Sequence, residues 1–160
     1  MQWKLALETF QANNDLNGVS NMLNNLGAVH FNGGDDNAAL DYYLESLRVA
    51  EANNDSLRTV TALVNIGTVY LNKESSKHLA LKYYKRALPL SKALGDHDAI
   101  GTCAVNLGEI YLRRANKTDS AGYYNPDSAL FYFETALEAY RNTATGNLPF
   151  ALKSIGRVYA

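Results

Sequence analysis

The sequence predicts an all-α fold, a right-handed α-solenoid of stacked antiparallel helix pairs. The first observation is a block, Asn-(Leu/Ile)-Gly-x-(Val/Ile)-(His/Tyr), that occurs at 25–30, 65–70 and 106–111 and fades into 154–159. A second block starts at Ala39, Ala80 and Ala129. It repeats a small residue, an aromatic residue four positions later and a small residue three further on, which is the spacing of one helix face. The regular return of both blocks indicates repeated helix pairs rather than one globular core.

Turn signals divide the chain into eight predicted helices. Asn-Asn-Asp at 13–15 and 53–55, and Gly-Asp at 95–96, each combine a residue that tolerates the left-handed backbone with an aspartate able to cap the next helix. Asn125 and Pro126 provide a cap and a first helical residue. We therefore predict helices near 1–13, 16–32, 36–52, 56–72, 76–94, 97–114, 126–142 and 147–160.

The positions of the two blocks define the repeat units. Gly27 and Gly67 are 40 residues apart, Gly67 and Gly108 are 41 apart, and Gly108 and Gly156 are 48 apart. Trp3 stands at the aromatic place of a second helix, and the last helix has the pattern of a first helix. We expect a single array over 1–160 with a half unit at 1–13, full units at about 16–53, 56–94 and 97–142, and a half unit at 147–160. Such an array would be a piece of a longer solenoid.

The longest spacing comes from about eight or nine residues inserted within 114–125. One interpretation is a surface loop, which costs little because loop entropy rises slowly with length. The alternative is that Tyr123 and Tyr124 fold over the edge of a binding groove and touch a partner.

The two blocks together resemble the tetratricopeptide repeat family, whose helix pairs carry Leu-Gly-x-x-Tyr in the first helix and Ala-x-x-x-(Phe/Tyr)-x-x-Ala in the second. The spacing of about 40 residues is similar to longer forms of the repeat in bacterial signalling proteins. The resemblance implies a superhelix whose first helices line a concave groove. The residues it places in that groove are Asn25, Asn65 and Asn106 before the glycines and Ala28, Thr68 and Glu109 after them. Asn21, Thr61 and Thr102, one turn earlier, extend the same polar strip.

Two interpretations of the asparagines remain open. An amide side chain donates and accepts hydrogen bonds, so a ladder of three could pair with the backbone of a partner peptide. Alternatively, each asparagine bonds within its own unit and supports helix packing.

The glycines and aromatic residues are interpreted as packing residues. A glycine in mid-helix costs about 1 kcal/mol relative to alanine, so its return at Gly27, Gly67 and Gly108 predicts a neighbouring helix too close for a β-carbon. We expect the alanines of the second helices to lie opposite these glycines. The paired aromatics of the second helices are expected in or near the core rather than in a ligand-stacking stripe.

Composition argues against several function classes. A net charge of -1 and a pI near 6.3 do not favour nucleic-acid binding, which needs clustered basic residues. Neither an apolar run of membrane-spanning length nor a signal peptide occurs, so we expect no direct membrane insertion. They leave the compartment open: we expect a soluble protein, with the cytoplasm slightly favoured and the periplasm as the alternative.

No pattern of catalytic, metal-binding or cofactor-binding residues appears in the sequence. The three histidines stand in different units without neighbouring ligands, and Cys103 is expected to be a packed thiol. We therefore predict a protein that is not an enzyme and that needs no cofactor or metal.

Two functions remain, in different classes. The first is a non-catalytic scaffold that binds a protein or peptide segment in the groove. The second is a sensory or regulatory segment of a larger bacterial signal-transduction protein, such as a histidine kinase or a transcription regulator. The apolar residues of the two terminal helices also predict end-to-end self-association.

Overall fold

The computed structural model describes residues 2–113, 124–143 and 147–159, without the side chains of residues 2–4 and 74. All regular structure in these ranges is helical. The α-helices are α1 (Gln2–Ala12), α2 (Leu16–Asn32), α3 (Asp36–Ala52), α4 (Ser56–Leu71), α5 (Lys77–Leu94), α6 (His97–Leu112), α7 (Pro126–Arg141) and α8 (Leu148–Val158). A short 3₁₀ turn, Glu74–Ser76, precedes α5. Every predicted helix is confirmed, with ends that differ by at most two residues.

Aspartate side chains cap the N-termini of four helices that follow short links. Asp15, Asp35, Asp55 and Asp96 each accept a hydrogen bond from the backbone N–H three residues later, at 2.9 to 3.1 Å. Asn125 does the same for α7 at 2.9 Å. These bonds satisfy one of the N–H groups that the first turn of a helix leaves unpaired.

The residue directly before each of the four aspartate caps has a left-handed backbone conformation. Asn14 and Asn54 have φ values of 55° and 53°, and Gly34 and Gly95 have values of 80° and 67°. Asparagine and glycine adopt this left-handed conformation more easily than other residues. The predicted turn chemistry is therefore confirmed.

The chain forms two compact units, Met1–Tyr83 and Tyr84–Ala160, with the division inside α5. In the first unit α2 packs against α1, α3 and α4. Val19, Leu23 and Val49 form part of its core, and Leu7 and Phe10 of α1 pack against them. Two buried hydroxyls join α2 to α3, since Ser46 Oγ donates to the Ser20 carbonyl at 2.8 Å.

In the second unit α6 packs against α7 and α8. Its core includes Ala104, Val105, Ala136, Tyr140 and Ala151. Both units thus use the same arrangement, in which a first helix carrying a central glycine lies against the second helix that follows it.

At two glycines the prediction that a neighbouring helix leaves no room for a β-carbon is confirmed. The prediction that alanines of the second helices lie opposite these glycines is wrong. An ideal Cβ on Gly27 would lie 2.6 Å from the ring of Tyr43, and one on Gly108 would lie 2.5 Å from the ring of Phe133. Aromatic rings, not alanines, cover these glycines. Ala39, Ala129 and Ala136 are buried elsewhere along the second helices.

A second aromatic residue of each pair lies half-buried beside the core. Tyr42, Tyr83 and Tyr132 stack on the ring three residues after the glycine, with centroid distances of 5.2, 5.7 and 5.7 Å. The ring stacked on Tyr42 is His30, which takes the place of a tyrosine. The expectation that the paired aromatics of the second helices lie in or near the core is confirmed for these tyrosines.

Candidate partner-binding surface

In the first unit, side-chain hydrogen bonds join the neighbouring first helices α2 and α4. Arg58 Nε donates to Asn21 Oδ1 at 2.9 Å, and Asn65 Nδ2 donates to Asn24 Oδ1 at 2.9 Å. Asn21 is exposed and Asn65 is half-buried. The structure therefore brings two of the predicted groove residues onto one seam between adjacent repeats.

The other predicted residues of this unit differ in what they offer a partner. Asn25 is exposed. The hydroxyls of Thr61 and Thr68 donate to the carbonyls of Leu57 and Val64 in their own helix, each at 3.0 Å. Because these bonds use the hydroxyl protons, the threonines present mainly acceptor lone pairs, and the asparagine amides are the donors of the surface.

Arg58 has a fixed position because a carboxylate holds it from the other side. Its Nη1 forms an ion pair with Asp55 Oδ2, and the Asp55 side chain is 14% exposed. Burial alone would raise the pKa of Asp55, but hydrogen bonds from the backbone N–H and the guanidinium of Arg58 bring that pKa below its usual value. The same aspartate therefore caps α4 and orients the arginine that holds Asn21.

In the second unit the predicted residues Thr102, Asn106 and Glu109 are half-buried on α6. Thr102 hydrogen-bonds to Tyr140 of α7, a tyrosine whose pKa burial raises. Glu109 Oε1 accepts hydrogen bonds from Arg157 Nη1 at 2.6 Å and from Ser154 Oγ at 3.3 Å. The first helices α6 and α8 of this unit are thus joined by an ion pair. By contrast, the hydrogen bonds between α2 and α4 mainly use asparagine amides.

Sequence reasoning missed Arg58, Asn24 and Arg157, the partners of three predicted residues. Arg58 lies one turn before Thr61 on the same helix, so its place next to the polar strip was visible in the spacing. Its reach across to Asn21 was not, because that contact depends on how two repeats pack.

The alternative role of the inserted loop falls mostly outside the described residues. Residues 114–123, with Tyr123, are not among them. Tyr124 is 42% exposed, and the backbone N–H of Asn125 donates to the Tyr111 carbonyl at 2.8 Å.

Cys103, possible metal ligands and possible membrane-spanning helices are the remaining features that could indicate another function. Cys103 is buried, as expected, and burial raises the pKa of its thiol to about 12. Within the described ranges, His, Cys, Asp and Glu side chains form no group of three or more that could hold a metal ion. Among the helices of the described part, none has the length and apolar character needed to cross a membrane.

Comparison with known proteins identifies the repeat. The sequence profile described as "Tetratricopeptide repeat" matches residues 18–77. Residues 18–77 are tetratricopeptide repeats. This segment covers most of α2 and all of α3 and α4 in the first unit, and it confirms the predicted family. No curated protein sequence matches the chain.

A solved structure is similar in fold to most of the chain. The crystal structure of BtubC (BKLC) from P. vanneervenii superposes with a TM-score of 0.73 and 21% sequence identity. The match covers 91% of this chain and 57% of that chain, so the present chain spans little more than half of its length. At this identity the likeness shows the fold alone, and it confirms the predicted all-α solenoid class.

Proposed function

We propose that the chain is a non-catalytic scaffold that holds a protein or peptide segment on the face of its first helices. Tetratricopeptide repeats indicate a protein-interaction scaffold, and the arrangement within the first unit supports a specific surface. The supporting observation is the seam between α2 and α4, where Arg58 restrains the exposed Asn21 at 2.9 Å. Asn25 adds a second exposed amide on α2.

The chemistry of this seam suits a peptide backbone. Each amide can donate to a carbonyl and accept from an N–H, whatever side chains the partner carries. A side chain that is already restrained loses less conformational freedom when it binds. We therefore expect an uncharged stretch of an extended or helical peptide to lie along α2 and α4.

A peptide selection followed by substitution tests the proposal. Peptides selected from a random library on the purified protein would be titrated against Asn25→Ala by fluorescence polarisation. Loss of one hydrogen bond should weaken binding by about 0.5–1.5 kcal/mol. Asn37→Ala is the matched control, since Asn37 is an exposed asparagine near the start of the second helix α3. Equal affinities for Asn25→Ala and the unchanged protein would place the peptide on another surface.

We propose in addition that copies of the chain contact each other through α1 and α8. Several of the most exposed apolar side chains lie on these helices or directly after α8, including Leu5 at 66% and Tyr159 at 74%. Burial of such side chains favours association.

A further inference from the structure

A depression of about 400 Å³ in the second unit is lined by the end of α5, the start of α6 and one side of α7. Ile100 of α6 and Ala139 of α7 form its apolar floor and are 8% and 4% exposed. Lys92 of α5 stands on one side of this floor, and Phe131 and Glu138 of α7 stand on the other, all three exposed. The depression therefore combines an apolar floor with an aromatic and two charged side chains.

Phe131 is exposed at a place where other second helices carry charged residues. Counted from Ala129, the first residue of the repeated block, it corresponds to Asp41 of α3 and Lys82 of α5, and both are exposed. Phe131 is 58% exposed. Because charged residues occupy this place in two equivalent helices, packing of the repeat does not need an apolar residue there. A large exposed aromatic residue in such a place is typical of a contact site.

The ring of Phe131 is held in position although it is exposed. It meets the ring of Tyr132 edge to face, with a centroid distance of 5.3 Å and an interplanar angle of 71°, a favourable geometry for two aromatic rings. Tyr132 in turn stacks on Tyr111 of α6 at 5.7 Å. A restrained side chain loses less conformational freedom when it binds. Phe131 is therefore suited to anchor an apolar side chain of a partner.

The charges on the two sides of the depression are opposite. Residues 84–94 of α5, which include Lys92, contain three basic residues and no acidic one. On the facing side, Glu138 provides a carboxylate. In the described part of the chain, neither Lys92 nor Glu138 forms an ion pair. A partner that matches both sides therefore carries an anionic group toward α5 and a cationic group toward α7.

The exposure of the lining side chains decides the size of the partner. Pockets for small molecules bury most of the surface of their ligand. Here Lys92, Phe131 and Glu138 are all exposed, so the depression cannot enclose a small molecule. It can instead receive one side chain of a larger partner.

We propose that this depression binds a segment of a partner protein in which one large apolar side chain lies between an acidic and a basic residue. The apolar side chain packs on Phe131 above Ile100 and Ala139, the acidic residue pairs with Lys92, and the basic residue pairs with Glu138. This site goes beyond the surface proposed on α2 and α4, since it lies in the second unit and uses other helices. Its failure would leave that first proposal standing.

Peptide selection with a depletion step tests the site. Short random peptides displayed on phage are first depleted on Phe131→Asp and then selected on the unchanged protein. The substitution introduces the residue type that Asp41 provides at the same place of α3, so α7 should stay folded, which circular dichroism checks. The selected peptides should share a large apolar residue flanked by an acidic and a basic residue. If every selected peptide binds Phe131→Asp with unchanged affinity, the proposal is wrong.

A matched pair of phenylalanines separates this site from general apolar attraction. Phe131 and Phe150 are 58% and 52% exposed, but Phe150 lies on α8 and does not line the depression. Fluorescence polarisation should show that Phe131→Asp weakens the peptides about tenfold or more, as loss of an aromatic anchor does, and that Phe150→Asp leaves them unchanged. Equal losses would overturn the proposal. A sedimentation mass of the peptide-free protein that falls on Phe131→Asp would also overturn it, because the occupant would then be a second copy.

Charge reversal tests the chemistry of the partner. Lys92→Glu should weaken a selected peptide about threefold or more, and replacing the acidic residue of that peptide by lysine should restore binding to this variant. Glu138→Lys should respond in the same way when the basic residue of the peptide is replaced by glutamate. Affinities that ignore both reversals would overturn the charged partner. Asn25→Ala should leave these affinities unchanged, and a loss on that substitution would place the peptide on α2 instead.

Discussion

At the scale of single residues, glycines at equivalent positions of different helices have different surroundings. Gly27, Gly108 and Gly156 occupy the same place in their helices, yet only the first two have an aromatic ring in contact range of a β-carbon. The ring at Gly108 belongs to Phe133, which is 0% exposed and cannot move away into solvent. The glycine is therefore required by packing at Gly108 and costs helix stability without a packing benefit at Gly156.

The same substitution should consequently have opposite effects at the two positions. Gly108→Ala should lower the free energy of unfolding by about 1–3 kcal/mol, because the added methyl group overpacks the core against Phe133. Gly156→Ala should raise it by about 0.5–1 kcal/mol through helix propensity. Urea unfolding followed by circular dichroism measures both, at low concentration where copies do not associate. Changes of the same sign would show that ring contact does not distinguish the two glycines.

At the scale of elements, local chemistry determines where each helix begins. The Asn-Asn-Asp links place a left-handed residue before a capping aspartate, so both signals are contained in three neighbouring residues. Helix ends were therefore predictable to within two residues. Contacts across helices were not, since the 3.6-residue period tells which face of a helix is buried but not which ring lies over Gly27. For the same reason the period located Asn21 but not its bond with Arg58.

Asp55 has two roles, and substitutions can separate them. Asp55→Ala removes the cap of α4 and should cost about 0.5–2 kcal/mol at pH 7. Asp55→Asn retains a good capping residue but loses the charge that faces Arg58, so its cost should be smaller.

The pH dependence gives an independent measure of that charge. The folded pKa of Asp55 is lowered, so its contribution to stability is present above the unfolded pKa and is lost as the pH falls through the folded pKa. Thermal melts from pH 7 to pH 2 should show the difference between the unchanged protein and Asp55→Asn shrinking below about pH 4. A difference that stays constant over this range would mean that the charge adds nothing beyond the cap.

At the scale of the whole molecule, the repeated helix pair explains why the fold class was predictable when the binding face was not. Two blocks that recur at a near-constant spacing specify helix pairs, and these were confirmed in each unit. A binding face depends on exposed side chains such as Asn25, which packing does not constrain. The array over 1–160 with its half units, the compartment and the role in a bacterial signalling protein stay predictions, as does the scaffold function proposed for α2 and α4.

In a chain of repeats, a destabilising substitution should lower the stability only of the helices close to it. In such proteins each helix pair is stabilised mainly by its own packing and by its nearest neighbours, and local opening has its own free energy. Gly108→Ala forces apart α6 and α7, which form the helix pair of the second unit. Hydrogen exchange measured by mass spectrometry should therefore become faster in α6 and α7 under native conditions, whereas α2 and α3 should keep the protection they have in the unchanged protein. Gly27→Ala is the matched variant of the first unit and should give the reverse pattern. If both variants accelerate exchange equally along all four helices, the chain unfolds as one cooperative body and the local account of its stability is wrong.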